Sequence, residues 1–120
     1  MSEWTSKYFK QSEFACKCGC GFNAINPELV KKLDYLRETL GMPLVVNSGC
    51  RCEEYNKKVG GKSDSAHTRG NASDIQINGG TMRYAFLLLA LKTFKRVGVY
   101  ATFCHVDIDD TLPQMVVWTG

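Results

Sequence analysis

The sequence predicts an α+β fold built on an antiparallel sheet. Two long segments carry apolar residues at helical spacing, and about five short segments read as strands. No strand–helix–strand unit repeats along the chain, which argues against a parallel α/β architecture. The 120 residues have the length of one domain, taken as 1–120, and are enough for a real core.

The first long helix is predicted over "NPELVKKLDYLRETLG", residues 26–41. Asn26 can cap it, Pro27 suits its first turn, and Gly41 can end it. Leu29, Leu33, Leu36 and Leu40 fall on one face, which should be core. "PLVVNSG", residues 43–49, reads as a short strand entering a turn, and Cys52 to Val59 as a short helix stopped by Gly60 and Gly61. The following stretch, rich in Gly, Ser, Asp and Asn, is a loop to about residue 72. In "SDIQIN", Asp74, Gln76 and Asn78 alternate with Ile75 and Ile77, the pattern of a strand with one polar face. "MRYAFLLLALKTFKR", residues 82–96, is the second long helix. "VGVYATFCHVDID" reads as extended chain of up to two strands, and "MVVW" as a last short one.

Several function classes are disfavoured at once. The formal charge is only +3, and the basic pairs Lys31-Lys32, Lys57-Lys58 and Lys95-Arg96 are dispersed. No dense basic stripe marks a nucleic-acid surface. The longest apolar run, "AFLLLAL", is too short to span a bilayer, and "MSEWTSKYFKQSEF" has no apolar core of a secretory signal. Synthesis in the cytoplasm without a signal peptide is therefore expected. Five of the six cysteines cluster in "CKCGC" and "GCRC". In a reducing compartment, clustered thiols suggest metal binding or free buried cysteines before disulfides, although Cys-x-Cys is tighter than an ordinary zinc knuckle. One of Cys16, Cys18 and Cys20 is expected close to Cys50 or Cys52, joined by a disulfide or a structural metal. Cys104 is expected to be a buried free thiol.

The two histidines of the chain carry the chemistry. Strand alternation puts His105 and Asp107 on one face and Cys104, Val106 and Ile108 on the other. If "SDIQI" shares that sheet, Asp74 joins the polar face, and His67 arrives from the preceding loop, where Gly70 and Asn71 allow the chain to curl back. Two neutral imidazoles and one carboxylate are a ligand set used by catalytic zinc, with water at the open fourth position. The competing reading is a pair of ordinary surface histidines.

The residues also carry a resemblance. Ser65-x-His67-x-x-Gly70-x-Ala72-x-Asp74 resembles the signature of the zinc D-alanyl-D-alanine carboxypeptidase and L-alanyl-D-glutamate endopeptidase family of peptidoglycan peptidases. "SGCRCEEYNKKVGG" is similar to that family's Ser-Gly-Tyr-Arg…Tyr-Asn…Val-Gly-Gly stretch, with Cys50 in place of tyrosine, and "FCHVDI" to its last His-Val-Asp strand. "SEFACKCGCGF" and Trp118 are similar to a branch of small, often phage-encoded members. The resemblance implies one catalytic zinc on His67, Asp74 and His105. It also implies a hedgehog-like fold, a small antiparallel sheet with helices packed on one side.

Two departures stand out. Position 102, where several members have a catalytic carboxylate, is a threonine, and Ile108, Asp109 and Asp110 stand where an arginine often follows. Asp107 is then the best candidate for the general base, its alternative role being to orient a ligand. Arg51 is a candidate for catalysis and for binding a peptide carboxylate or oxyanion, and Ser65 for binding substrate, unless its hydroxyl serves the turn.

The leading expectation is a monomeric zinc peptidase cleaving amide bonds in peptidoglycan stem peptides or cross-links at the bacterial cell wall. The alternatives are a non-catalytic zinc-containing wall-binding module of the same fold, and a cysteine-rich metal or redox protein.

Overall fold

A computed structural model describes residues 4–120. Helix α1 spans Pro27–Leu40. Its start and stop follow from the sequence: the Asn26 side chain accepts from the Glu28 N–H at 2.9 Å, and Gly41 closes the helix in the left-handed conformation at φ 67°. Leu29, Leu33 and Leu36 are fully buried. Strand β1 (Val46–Ser48) and helix α2 (Glu53–Lys58) come next, both shorter than the sequence pattern suggested. A single 3-10 turn, Ala66–Arg69, interrupts the predicted loop before strand β2 (Ala72–Gln76).

Helix α3 spans Gly79–Thr93, three residues earlier at each end than the 82–96 read from the sequence. Its end is set by tertiary packing. Phe94 turns extended to bury its ring in the core, which frees Arg96 to open strand β3 (Arg96–Val99). Strands β4 (Phe103–Asp107) and β5 (Val116–Thr119) complete a five-stranded sheet of order β1-β2-β4-β3-β5.

The fold is α+β, as the sequence predicts, but the sheet is not purely antiparallel: β5 runs parallel to β3. Both edges of β4 are occupied, by β2 and by β3. The chain leaving β4 must cross to the free edge of β3, and reversing its direction on the way makes it parallel there.

Alternation divides the sheet into two faces. Val46, Ile75, Val97, Cys104 and Val106 join Leu29, Leu33 and Leu36 of α1 and Phe86 and Ala90 of α3 in one apolar core. Cys104 is a fully buried free thiol within it. On the opposite face the strand register lines up Ser48, Asp74, His105, Gly98 and Trp118 as one row across all five strands. The adjacent row holds Ala72, Asp107, Arg96 and Val116.

Alternation gives this face its polar residues, and the fold covers part of it. Asp74 and Asp107 are buried, because the segment from Ser48 to Cys52 and the 3-10 turn fold over the end of the sheet. Gly70 makes the cover possible. It adopts φ 72°, and a β-carbon there would run into the carbonyl of Ala24, whose neighbour Asn26 donates its N–H to the Gly70 carbonyl. We predict that Gly70→Ala costs about 1–3 kcal/mol of stability, from left-handed strain plus the steric conflict, measurable by urea denaturation. A loss within experimental error would show that this turn does not hold the loop.

Candidate metal centre

His67 lies in the 3-10 turn, whose N-cap is Ser65; the Ser65 hydroxyl accepts from the His67 N–H at 3.2 Å. The imidazole is buried. Its Nδ1 is 2.7 Å from the Gly49 carbonyl and its Nε2 is 3.2 Å from Asp74 Oδ1. A carbonyl oxygen only accepts, so Nδ1 carries the proton and Nε2 presents a lone pair to the carboxylate. His105 arrives on β4 with the opposite polarity. Its Nε2 is 2.6 Å from Asp107 Oδ2 and its Nδ1 is 3.1 Å from Asp74 Oδ1. Nε2–H donates to the Asp107 carboxylate, and Nδ1 faces Asp74.

Two imidazole nitrogens and a carboxylate oxygen thus converge on one point, all within 4.8 Å of one another. Ligands at zinc distances in a tetrahedron sit about 3.3 Å apart. The two separations from Asp74 Oδ1, 3.1 and 3.2 Å, match that spacing. Lone pairs facing a carboxylate at this range require a cation or an added proton between them. The donor set fits zinc.

Arginines hold the two carboxylates from behind. Arg51 donates from NH2 to Asp74 Oδ2 (3.1 Å), from Nε to Ser48 Oγ (3.0 Å) and from NH1 to Asn56 Oδ1 (3.2 Å). Arg96 Nε donates to both oxygens of Asp107 at 2.8 and 3.0 Å, while its NH1 reaches the Pro113 carbonyl. Burial alone would raise the Asp74 pKa, but the adjacent imidazoles of His105 and His67 outweigh it and hold the carboxyl well below the usual carboxylate range. For His105, burial acts downward and is outweighed by Asp107 and Asp74, which raise its pKa.

The sequence-predicted residues therefore separate. His67, Asp74 and His105 come together. Asp107 lies at the far nitrogen of His105, enclosed by Arg96 and the Asp109 N–H, and has no open side from which to reach an attacking water. Arg51 spends all three of its nitrogens on internal partners, and Ser65 serves the turn. Asp107, Arg51 and Ser65, expected as general base and substrate contacts, are each held by partners within the chain. Thr102 lies exposed in the turn between β3 and β4.

Sequence reading missed four participants. The Gly49 carbonyl has no side-chain signature. Arg96 was assigned to a helix tail. Trp118 packs against the His105 ring at 5.2 Å, and Gly98 between them leaves the room, since a β-carbon there would lie 2.6 Å from the indole nitrogen. The row of residues across the sheet is the signal that could have found Gly98 and Trp118, had the β5 pairing been known.

A second clamp fixes the His67 loop. Arg69 donates to Asp109 Oδ2 at 2.6 Å and Asn71 to the same oxygen at 3.1 Å. Burial pushes the Asp109 pKa up, but Arg69, Thr111 and Asn71 hold it well below the ordinary value. A depressed folded pKa stabilises the fold above the unfolded aspartate value of about 4, and that stabilisation is lost as pH falls toward the folded value. Asp109→Asn should therefore lower stability at neutral pH and flatten the decline below about pH 4; an unchanged acid limb in pH-dependent denaturation would show that the clamp is not linked to folding.

The family described as Peptidase M15 has a sequence model that matches residues 7–109 of the chain. No curated protein matches it. None of the described helices is long and apolar enough to cross a membrane.

Proposed function

The chain belongs to the peptidase M15 family, a family of zinc peptidases, and we propose that it hydrolyses amide bonds in the stem peptides or cross-links of bacterial peptidoglycan. Residues 1–120 would act as one catalytic domain, with the cell wall as the site of action. The observation that carries this reading is the convergence of His67 Nε2, His105 Nδ1 and Asp74 Oδ1, with each imidazole's other nitrogen already satisfied. These three atoms would hold one zinc ion. When bound, zinc supplies Lewis acidity toward a peptide carbonyl and toward water.

The remaining roles belong to the chain. The Gly49 carbonyl and Asp107 fix the tautomers of His67 and His105, so that the correct nitrogen faces the site. Arg51 holds Asp74 in register while leaving Oδ1 to the imidazoles. The Trp118 ring beside His105 provides an apolar wall that limits water. A groove of about 450 Å³ between α2 and the 3-10 turn, lined by Glu53, Asn56, Lys57 and Thr68, offers room for part of a peptide. The substrate contact expected of Arg51 would fall to donors left free by its internal bonds.

One observation favours a second reading, a zinc-containing wall-binding module without turnover. Asp107 is enclosed and position 102 is a threonine, so neither supplies an open carboxylate to carry a proton.

Mass spectrometry of muropeptides released from purified peptidoglycan tests the choice. Amide-cleaved fragments that vanish with a chelator and return with zinc are the expected result. Wall binding with zinc bound and no fragments released would establish the second reading.

His67→Ala and His105→Ala should each lose one zinc per chain together with turnover, because two protein ligands do not close the site. Asp107→Asn should weaken zinc binding about 10- to 100-fold and recover turnover at saturating zinc. Unchanged zinc affinity with turnover lost at every zinc concentration would return Asp107 to the role of base.

A further inference from the structure

We propose that Cys16, Cys18, Cys20 and Cys52 form a separate, structural metal site that takes one zinc ion as a tetrathiolate. All four sulfur atoms lie within 4.8 Å of one another. Cys16 and Cys18 are 3.4 Å apart and Cys18 and Cys52 3.6 Å, near the roughly 3.8 Å between sulfurs around a tetrahedral zinc. Soft thiolates are donors that select zinc over harder cations.

The local backbone is built for this convergence. In extended chain, thiols at alternate positions would be about 6.6 Å apart along the strand. Here Gly19 at φ 82° and Gly21 at φ 93° reverse the chain, the Gly19 N–H bonds the Cys16 carbonyl at 3.2 Å, and the Cys16 N–H bonds the Phe22 carbonyl at 2.8 Å. The tight Cys-x-Cys-Gly-Cys spacing thereby becomes a compact knuckle.

Backbone donors are directed at sulfur. The Cys52 N–H donates to Cys16 Sγ at 3.4 Å, and Cys52 Sγ caps α2 by accepting from the Tyr55 N–H at 3.4 Å. Such donors favour thiolates. Burial acts to raise the Cys16 thiol, but the N–H groups of Cys18 and Cys52 and the neighbouring thiols bring it down to about 7. Hydrogen bonding with Cys16 and Cys20 pushes Cys18 up to about 12. A divalent cation bound by the four sulfurs would displace their remaining protons.

The two remaining cysteines are excluded by position. Cys50 is buried among apolar groups, with its thiol pushed up to about 11 first by that burial, Cys104 is buried in the same apolar core, and neither joins the four sulfurs. A single disulfide would need two thiols, not four meeting at one point. Tetrahedral coordination uses them all.

The test measures metal in the full-length protein, purified with a thiol reductant and without chelator. Elemental analysis should find a cysteine-dependent zinc, scored independently of the histidine site. Cys18→Ser with Cys20→Ser should lose it and keep the histidine-dependent ion. His67→Ala with His105→Ala should do the reverse. Because Cys18 and Cys20 are exposed, serine there leaves the core intact, and circular dichroism checks the fold. Cobalt(II) replacing zinc should give thiolate-to-cobalt charge-transfer absorption in the histidine variant and not in the cysteine variant. The proposal is overturned if the reduced chain binds no ion that depends on these cysteines, if cobalt shows no thiolate charge transfer, or if the four thiols are found as two disulfides that resist reduction.

Discussion

The polar side of this molecule depends on a single buried carboxylate. Asp74 offers Oδ1 to His67 and His105 together and Oδ2 to Arg51. A carboxylate this far from water is tolerated only when its oxygens are matched by donors or cations. That requirement explains why the loop from Ser48 to Cys52, the turn that carries His67 and strand β4 all close on the same point of the sheet. Remove the charge at Asp74 and three elements lose their common reason to meet. Arg51 would then be left buried without its counter-charge, the costly half of any broken buried pair.

The segment 48–52 shows how closely the supports are interleaved. Ser48 steadies Arg51, the Gly49 carbonyl sets the His67 tautomer, the Cys50 N–H bonds the Phe14 carbonyl, Arg51 grips Asp74, and Cys52 enters the thiol cluster. Gly49 admits no substitute, since a β-carbon would lie 2.9 Å from the Phe14 backbone. The closeness of Cys52 to the knuckle at 16–20 sets the N-terminal region against the loop that presents Arg51. The thiol cluster and the histidine site are separate in chemistry and joined through five residues of backbone.

Much of this was legible from sequence wherever a local rule decides. Capping and leucine spacing placed α1 within a residue, and period-two alternation put Asp74, His105 and Asp107 on one face. The cysteine runs pointed to a link between the segments around 18 and 52, and the described thiols do meet there. What stayed hidden is what nonlocal packing decides. Alternation says which face a side chain takes but not what covers that face, so the burial of Asp74 and Asp107 does not show in the pattern. It also cannot tell which imidazole nitrogen points at which neighbour, and that detail puts Asp107 at the His105 nitrogen facing away from Asp74. Arg96 looked like the end of a helix because its tie to Asp107 runs across β3 and β4, a pairing invisible in one dimension.

The charges of the site add a further constraint. Asp74 and Asp107 contribute two negative charges, and Arg51 and Arg96 contribute two positive ones. With both imidazoles neutral, the ion pairs cancel before any metal enters. A zinc ion added to that balanced set leaves the site with a net positive charge in a low-dielectric wall formed partly by Trp118. Such a field favours a ligand that brings its own negative charge, and it stabilises negative charge developing on a carbonyl oxygen. The arginines thus act on the site through the carboxylates they hold. By neutralising the carboxylates that organise the imidazoles, they leave the metal's charge uncancelled and available to whatever approaches it.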